Sequence, residues 1–388
     1  MSSAEFVERS EAAPVTRVRV AVGRDANVDL DALTRFARGW ERTLGVTIDV
    51  SGADGVAELR PSDEPLVVDA GTAALLGTLA DGRTVVVDFD GAAASLDPGL
   101  SGPARIGGRG IDGYRWAIRY LVSRGAWPVA TYRYGREAEQ LADLRLPVGE
   151  GPHPVVVLIH GGGWKHRWQR DLMAPIAVDL AEHGFASWNV EFRRVGGGGG
   201  WPATFDDVRA AIDALAAVDE VARLDLDRVC FLGHSSGGHL ALWAAADGQT
   251  RVRPALVVAI AAVSDLVEAA RRQLVGGENI VVGLLGGTPE EVPKRYAAAS
   301  PRARLPLGTP QLLVQGLRDY IPDLVDLNRS YARAAREAGD DVELVELPDV
   351  EHLEPIESAS AAWHRIRDKL ERALGSPRDL VHTRTETN

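Results

Sequence analysis

The sequence predicts an α/β protein: a doubly wound, mostly parallel sheet preceded by a small α/β N-terminal domain. Three observations predict it. From residue 150 on, short apolar runs alternate with segments of helical periodicity. The run Pro154–Ile159 is apolar throughout, as in a parallel strand buried on both faces. And Gly233-x-Ser235-x-Gly237 stands between an apolar run ending at Leu232 and an Ala/Leu-rich segment, Leu240–Ala246. That is the pattern of a strand turning sharply into a helix.

Bulk properties bound the answer. At 388 residues the chain has room for one large domain or two. Its 45% apolar and 25% charged residues are ordinary for a globular protein. A net charge of -12 argues against nucleic acid and against an anionic membrane as partners. The single cysteine, Cys230, excludes a disulfide framework and a Cys-rich metal site. Met1 to Ala13 is polar and acidic, without the basic and apolar regions of a secretory leader, and no apolar run reaches transmembrane length. A cytoplasmic protein is expected.

The elements follow in order. Residues 1–14 read as a disordered arm and 15–125 as the small α/β domain. In it Thr16–Val22, Gly45–Val50, Leu66–Asp69 and Arg83–Phe89 read as strands, and Leu30–Leu44 and Gly71–Leu79 as helices. Asp97–Gly110 is rich in turn residues, and Ile111–Val122 has helical spacing. No motif carrying chemistry is found before residue 126. The domain is read as structural, as a contact for a homo-oligomer, or as a cover for a substrate cavity.

Residues 126–375 read as a catalytic domain. Val129–Tyr132 and Leu141–Leu146 have the character of edge strands. Strands are expected at Pro154–Ile159, Ala186–Phe192, Val229–Leu232, Leu256–Ala261, Gln311–Val314 and Val342–Leu347. Helices are expected at Asp171–His183, Phe205–Ala217 with Thr204 as N-cap and Asp207 as its capping-box partner, Leu324–Ala338 and Ala359–Leu374. Residues 376–388 are polar and read as a flexible tail. Reactive groups of such a sheet gather at the carboxyl ends of its strands.

Ser235 is placed there as a nucleophile. Small residues two positions to either side let the turn form without collision. A serine hydroxyl is almost un-ionised at neutral pH, so it needs a base, and the base needs a carboxylate to orient it. The developing oxyanion needs backbone donors. His160-Gly161-Gly162-Gly163 follows a buried strand, and the N–H groups of Gly162, Gly163 and Ser236 are the candidate donors. Asp319 follows Gln311–Val314 and is the candidate acid, with Asp323 as competitor. His352 follows the last strand and comes after both Ser235 and Asp319 in the chain; it is the candidate base. Trp164, Trp201, His234 and a mobile loop at Gly196–Gly200 are candidates for the substrate pocket. His234 and His239 flank the serine and also read as packing at the elbow. Five residues apart and without a third ligand, they are not read as a metal site, and no cofactor is expected.

These stretches carry a resemblance. From about Tyr134 to Leu374 the chain resembles the α/β-hydrolase superfamily, near its esterase, kynurenine-formamidase-like and prolyl-oligopeptidase-like branch. The matching residues are His160–Trp164, Asn189–Arg194, Gly200–Pro202, Gly233–Leu240, Ser300-Pro301, Gly316–Asp319 and His352. The resemblance implies a triad of Ser235, Asp319 and His352, with an oxyanion hole from Gly162 or Gly163 and Ser236. Two local departures stand out: Gln315 occupies a place where the family usually has His, and Asp319 reaches Pro322 one residue early. Residues 1–125 lie outside the usual fold. The function expected is hydrolysis of a small or medium carboxylic ester through an acyl-enzyme. The same machinery would serve an aryl formamidase or other amidase, or an acyltransferase or cyclase; a non-catalytic binding module is the remaining alternative.

Overall fold

The computed structural model describes residues 4–23, 26, 28–53, 64–71, 73, 83–89, 104–274 and 279–375. The chain divides into two compact units. Arg9–Val129 forms one; the chain from Ala130 onward, with the residues up to Glu8, forms the other.

The first unit is an open parallel sheet. Its strands are β2 (Arg17–Gly23), β3 (Thr47–Ala53), β4 (Leu66–Asp69), β5 (Thr84–Asp88) and β6 (Ala104–Gly107), in the order β3-β2-β4-β5-β6. Helices α1 (Leu30–Leu44) and α2 (Asp112–Ala126) belong to it. Helix α1 starts where Asp29 accepts hydrogen bonds from the backbone N–H groups of Asp31 and Ala32. It ends at Gly45, whose φ of 68° suits a residue without Cβ. Val18, Val67, Val85, Val86, Leu33 and Ile118 are wholly buried and make the core. Part of the stretch expected to be turns is strand β6. The helix expected at Gly71–Leu79 lies largely outside the described residues.

The second unit holds a nine-stranded sheet in the order β1-β7-β8-β10-β9-β11-β12-β13-β14. Here β7 is Val129–Arg133, β8 Leu141–Arg145, β9 His153–Ile159, β10 Ala186–Val190, β11 Leu224–His234, β12 Leu256–Ile260, β13 Gln311–Gly316 and β14 Val342–Leu347. From β10 to β14 every pair is parallel; β8 runs antiparallel to both β7 and β10. This is the doubly wound, mostly parallel sheet that the buried apolar runs predict. Strands β9 and β12 are buried along their whole length.

Several expectations are corrected. The arm at residues 1–14 contains strand β1 (Glu5–Ser10), which adds to the sheet beside β7. Phe6 sets its ring edge against Tyr132 at 5.7 Å. An edge strand exposed on both sides has no apolar alternation, so the pairing that fixes it is not written locally. The next residues are tied as well, since Ala13 N–H donates to the Gly125 carbonyl at 2.9 Å. Strand β8 is interior rather than an edge. The tail, 376–388, lies outside the described residues.

The helices of this unit are α3 (Ala174–Glu182), α4 (Ala203–Ala214), α5 (Ser236–Asp247), α6 (Leu266–Arg271), α7 (Ile280–Leu285), α8 (Pro293–Ala299), α9 (Asp323–Glu337) and α10 (Ala361–Leu374). Thr204 does not cap α4: its hydroxyl accepts from Gly200 N–H at 2.9 Å and donates to the Arg193 carbonyl at 2.7 Å. Asp207 instead receives the Arg193 guanidinium at 2.8 Å. The pair therefore folds the glycine-rich loop onto α4. That loop is pinned, because the N–H groups of Gly197 and Gly199 both reach the Arg194 carbonyl at 2.9 Å.

Candidate active site

Ser235 stands between β11 and α5 with φ 55° and ψ −118°, a conformation that L-residues rarely adopt. The sequence permits it by removing neighbours. A Cβ on Gly233 would lie 2.0 Å from the Gly237 carbonyl oxygen, and one on Gly237 2.0 Å from the Ile159 oxygen. Only glycine fits either place. The Ser235 N–H donates to the Ile260 carbonyl at 2.7 Å, which fastens the turn to the neighbouring strand. The side chain is 7% exposed.

The loop after β9 lies against this elbow. A Cβ on Gly161 would be 3.1 Å from Ser235 Cβ and 2.8 Å from the His234 carbonyl oxygen. Gly162 and Gly163 have φ of 110° and 62°. The backbone N–H of Trp164 donates to Ser236 Oγ at 3.3 Å, joining the loop to the first turn of α5. His160 fixes the loop from below. Its Nε2 lies 3.1 Å from Glu191 Oε1, and its ring stacks on Phe192 at 4.5 Å. Glu191 also binds the Arg194 guanidinium and accepts from Arg170 N–H at 3.0 Å. The charge of this buried carboxylate is thus balanced by a cation and by N–H donors.

The candidate acid and base meet at the other side. Strands β13 and β14 are neighbours, so the loops after them start side by side. His352 Nδ1 is 2.7 Å from Asp319 Oδ2, with both side chains buried. Asp319 Oδ1 accepts from Ile321 N–H at 2.8 Å, and Oδ2 also accepts from Gln315 Nε2 at 3.2 Å. Asp323 is elsewhere engaged, 3.1 Å from the Arg272 guanidinium on the surface. The early Pro322 therefore does not keep Asp319 from its histidine.

His234 joins the halves. Its Nε2 donates to the His352 carbonyl oxygen at 2.9 Å, and the two rings lie 4.6 Å apart. Burial, and then the nearby His352, press its pKa well below the ordinary histidine value. His234 is thus a wholly enclosed strut, with 1% exposure, rather than an open pocket wall. Trp164 is 1% exposed and sets its edge against His239 at 5.2 Å. Trp201 is partly exposed and packs on Phe205 at 4.9 Å. Tyr320 is 65% exposed, with its ring edge 5.0 Å from His352.

The sequence reading passed over Glu191 and Asn328. Glu191 had a signal, since a lone acid beside two arginines ends a buried strand. Asn328 had none that distinguishes it from other polar residues on α9. Among the described residues, one group of metal-capable side chains converges, Asp179, Glu182 and His183. Asp179 there is committed to Trp363 Nε1 at 2.7 Å and to the Arg367 guanidinium at 2.6 Å. Among the described residues no helix is long and apolar enough to cross a membrane.

Comparisons with known proteins agree with this architecture. Residues 142–332 match the BD-FAE family model. A truncated carbohydrate esterase from gut microbiota is 19% identical, with a TM-score of 0.55 over 62% of this chain and 92% of that one. A bacterial heroin esterase is 26% identical, with a TM-score of 0.51 over 62% of this chain and 82% of that one. Esterase B from Lactobacillus rhamnosis, in complex with an inhibitor, is 18% identical, with a TM-score of 0.51 over 61% and 84%. No curated protein matches. Residues 142–332 are thus similar to the family that BD-FAE describes, and the second unit has the mostly parallel α/β fold of these esterase structures.

Proposed function

We propose that the protein is a serine hydrolase that cleaves a small or medium carboxylic ester through an acyl-enzyme on Ser235. The observation that carries this reading is the buried His352–Asp319 hydrogen bond of 2.7 Å, formed beside the strained turn that holds Ser235. The names of the similar structures, which are esterases, support the same reaction class.

The steps follow from the chemistry of these groups. His352 takes the Ser235 proton on Nε2 as Oγ attacks the ester carbonyl. The Asp319 carboxylate, held by three donors, fixes the ring with Nδ1–H toward itself and offsets the charge of the imidazolium. The carbonyl oxygen becomes an oxyanion, and the N–H groups of Gly162 or Gly163 and of Ser236 are assigned to it. Each such donor contributes roughly 3 kcal/mol of transition-state stabilisation. The imidazolium returns its proton to the departing alcohol. Water, deprotonated by the same His352, then attacks the acyl-enzyme, and the second tetrahedral adduct expels Ser235, whose Oγ takes back the proton from His352. Tyr320, exposed beside His352, and Trp201 are the aromatic surfaces offered to the substrate.

The test is hydrolysis of p-nitrophenyl acetate by the parent and by Ser235→Ala, with fluorophosphonate labelling of both. Hydrolysis and labelling by the parent alone are expected. Unchanged turnover in Ser235→Ala would discard the nucleophile.

A further inference from the structure

The acid of the site does not stand alone on its loop. Its carboxylate Oδ2 receives two donors, His352 Nδ1 at 2.7 Å and Gln315 Nε2 at 3.2 Å. Gln315 is fully buried at the end of β13, and its Nε2 also donates to the Gly316 carbonyl at 2.9 Å. An amide has two faces, and nothing in Gln315 itself decides which one Asp319 meets. The two acceptors on its NH2 side, Asp319 Oδ2 and the Gly316 carbonyl, set its sense, and the donor on the other side agrees. Gln315 Oε1 accepts from Asn328 Nδ2 at 2.8 Å, and Asn328 is 1% exposed on helix α9. Were the Gln315 amide turned over, its oxygen would face the Asp319 carboxylate and its NH2 would face the NH2 of Asn328. Both contacts repel.

Asn328 fills only half of its own hydrogen-bonding capacity. Its Oδ1 is buried without a hydrogen-bond partner. Burying an unpaired carbonyl costs free energy that an apolar side chain of the same shape would not. The donor side must therefore supply the reason for an asparagine here. We propose that Asn328 and Gln315 are positioning residues for catalysis: a neutral relay, Asn328 to Gln315 to Asp319, that fixes the orientation and charge distribution of the carboxylate serving His352. The proposal rests on the serine-hydrolase reading above.

The rival is a purely structural tie between α9 and β13. One turn along the same helix, Tyr331 donates to Gln311 Oε1 at 2.8 Å, and that bond lies far from the site. The two roles differ in what an isosteric apolar residue does. In a structural tie, Asn328→Leu loses a bond and leaves the Asp319–His352 pair as it is. In the relay, Asn328→Leu also weakens the hold on the Gln315 amide that faces Asp319; stability does not separate the roles, because the variant removes the unpaired Asn328 Oδ1 and leaves Gln315 Oε1 unpaired instead. The titratable groups around Asp319 are His352 and Tyr320, and His234 lies against His352. With a donor withdrawn, the Asp319 carboxylate keeps more of its charge for His352. The imidazolium is then held more tightly, and the acid limb of kcat/KM moves to higher pH.

The experiment compares the full chain with its Asn328→Leu and Gln315→Leu variants. Thermal unfolding, the pH profile of p-nitrophenyl acetate hydrolysis and the low-field Nδ1–H proton resonance of His352 are recorded for each. The expected result is kcat lowered roughly tenfold with KM unchanged and a displaced acid limb and resonance in both variants, with thermal unfolding as the fold control. A parental resonance and acid limb in Asn328→Leu would overturn the proposal. Fluorophosphonate labelling of the parent separates the two readings. An unlabelled Ser235 discards the hydrolase assignment, while the His352 resonance still decides the relay.

Discussion

His234 Nε2 donates to the carbonyl oxygen of His352 at 2.9 Å, so the residue before the proposed nucleophile holds the backbone of the proposed base. Ser235 and His352 come from loops after β11 and β14, which are three places apart in the sheet. A direct strut between those loops sets their separation more firmly than packing alone. The donation fixes His234 as the Nε2–H tautomer.

Removing the strut should therefore harm turnover more than the fold. In His234→Leu, kcat is expected to fall at least tenfold, because a displacement near 1 Å at a reacting pair costs up to about 100-fold. His234→Gln can place an amide N–H near the same carbonyl and should recover much of the loss. Steady-state kinetics with circular dichroism as a fold control make the comparison. Equal kcat in all three proteins would dismiss the strut.

The choice of acid gives a second prediction. Asp319 lies 2.7 Å from His352, whereas Asp323 is paired with Arg272. Asp319→Asn should lower kcat by roughly 10³–10⁴-fold, because the amide favours the wrong imidazole tautomer. Asp323→Asn should leave kcat within twofold of the parent and change stability little, since its partner is an exposed cation. The reverse ranking would transfer the acid role to Asp323.

These two aspartates show how much of the site could be read from the sequence. Chain order and strand ends singled out Ser235, Asp319 and His352, because each follows an apolar run long enough to see. The hydrogen bond between Asp319 and His352 needed β13 and β14 to be neighbours, and that register is a property of the whole sheet. Gln315 stood out only as a departure from a resemblance. Its partner Asn328 lies 13 residues on, on a helix, where nothing local marks a buried donor. Strand β1 escaped for a related reason: its six residues, Glu5–Ser10, are mostly polar and owe their conformation to β7. Helices α6, α7 and α8 escaped because six or seven residues are too few to display a period.

Buried histidines make stability depend on pH. Burial lowers the pKa of His239 to about 4, against the favourable effect of the bond from its Nε2 to the Ala299 carbonyl at 3.0 Å. His234 is lowered too. The folded protein keeps both rings neutral, while the unfolded chain protonates them below about pH 6.5. Between pH 6.5 and about 4 the unfolded state binds more protons, so stability falls as pH falls through that window. Above it these residues cause no change. The urea midpoint should thus drop between pH 7 and pH 4.5, and the drop should be smaller in His239→Gln. An equal drop in parent and variant would remove His239 from the account.

The strain at Ser235 yields the last prediction. A residue with Cβ at φ 55° and ψ −118° costs on the order of 1–3 kcal/mol, and the protein bears that cost to raise the hydroxyl out of the turn. Ser235→Ala removes the hydroxyl and keeps the Cβ, so the strain stays. Ser235→Gly removes both. Glycine loses more entropy on folding, by roughly 0.5–1 kcal/mol, which offsets part of the relief. The glycine variant should still be the more stable of the two by about 1 kcal/mol, a rise in Tm of about 2–4 °C for a domain of this size. Neither variant should hydrolyse ester or react with fluorophosphonate. Differential scanning calorimetry of the pair decides it: an alanine variant as stable as the glycine one would mean that the elbow stores no strain, and that exposure of the hydroxyl costs the fold nothing.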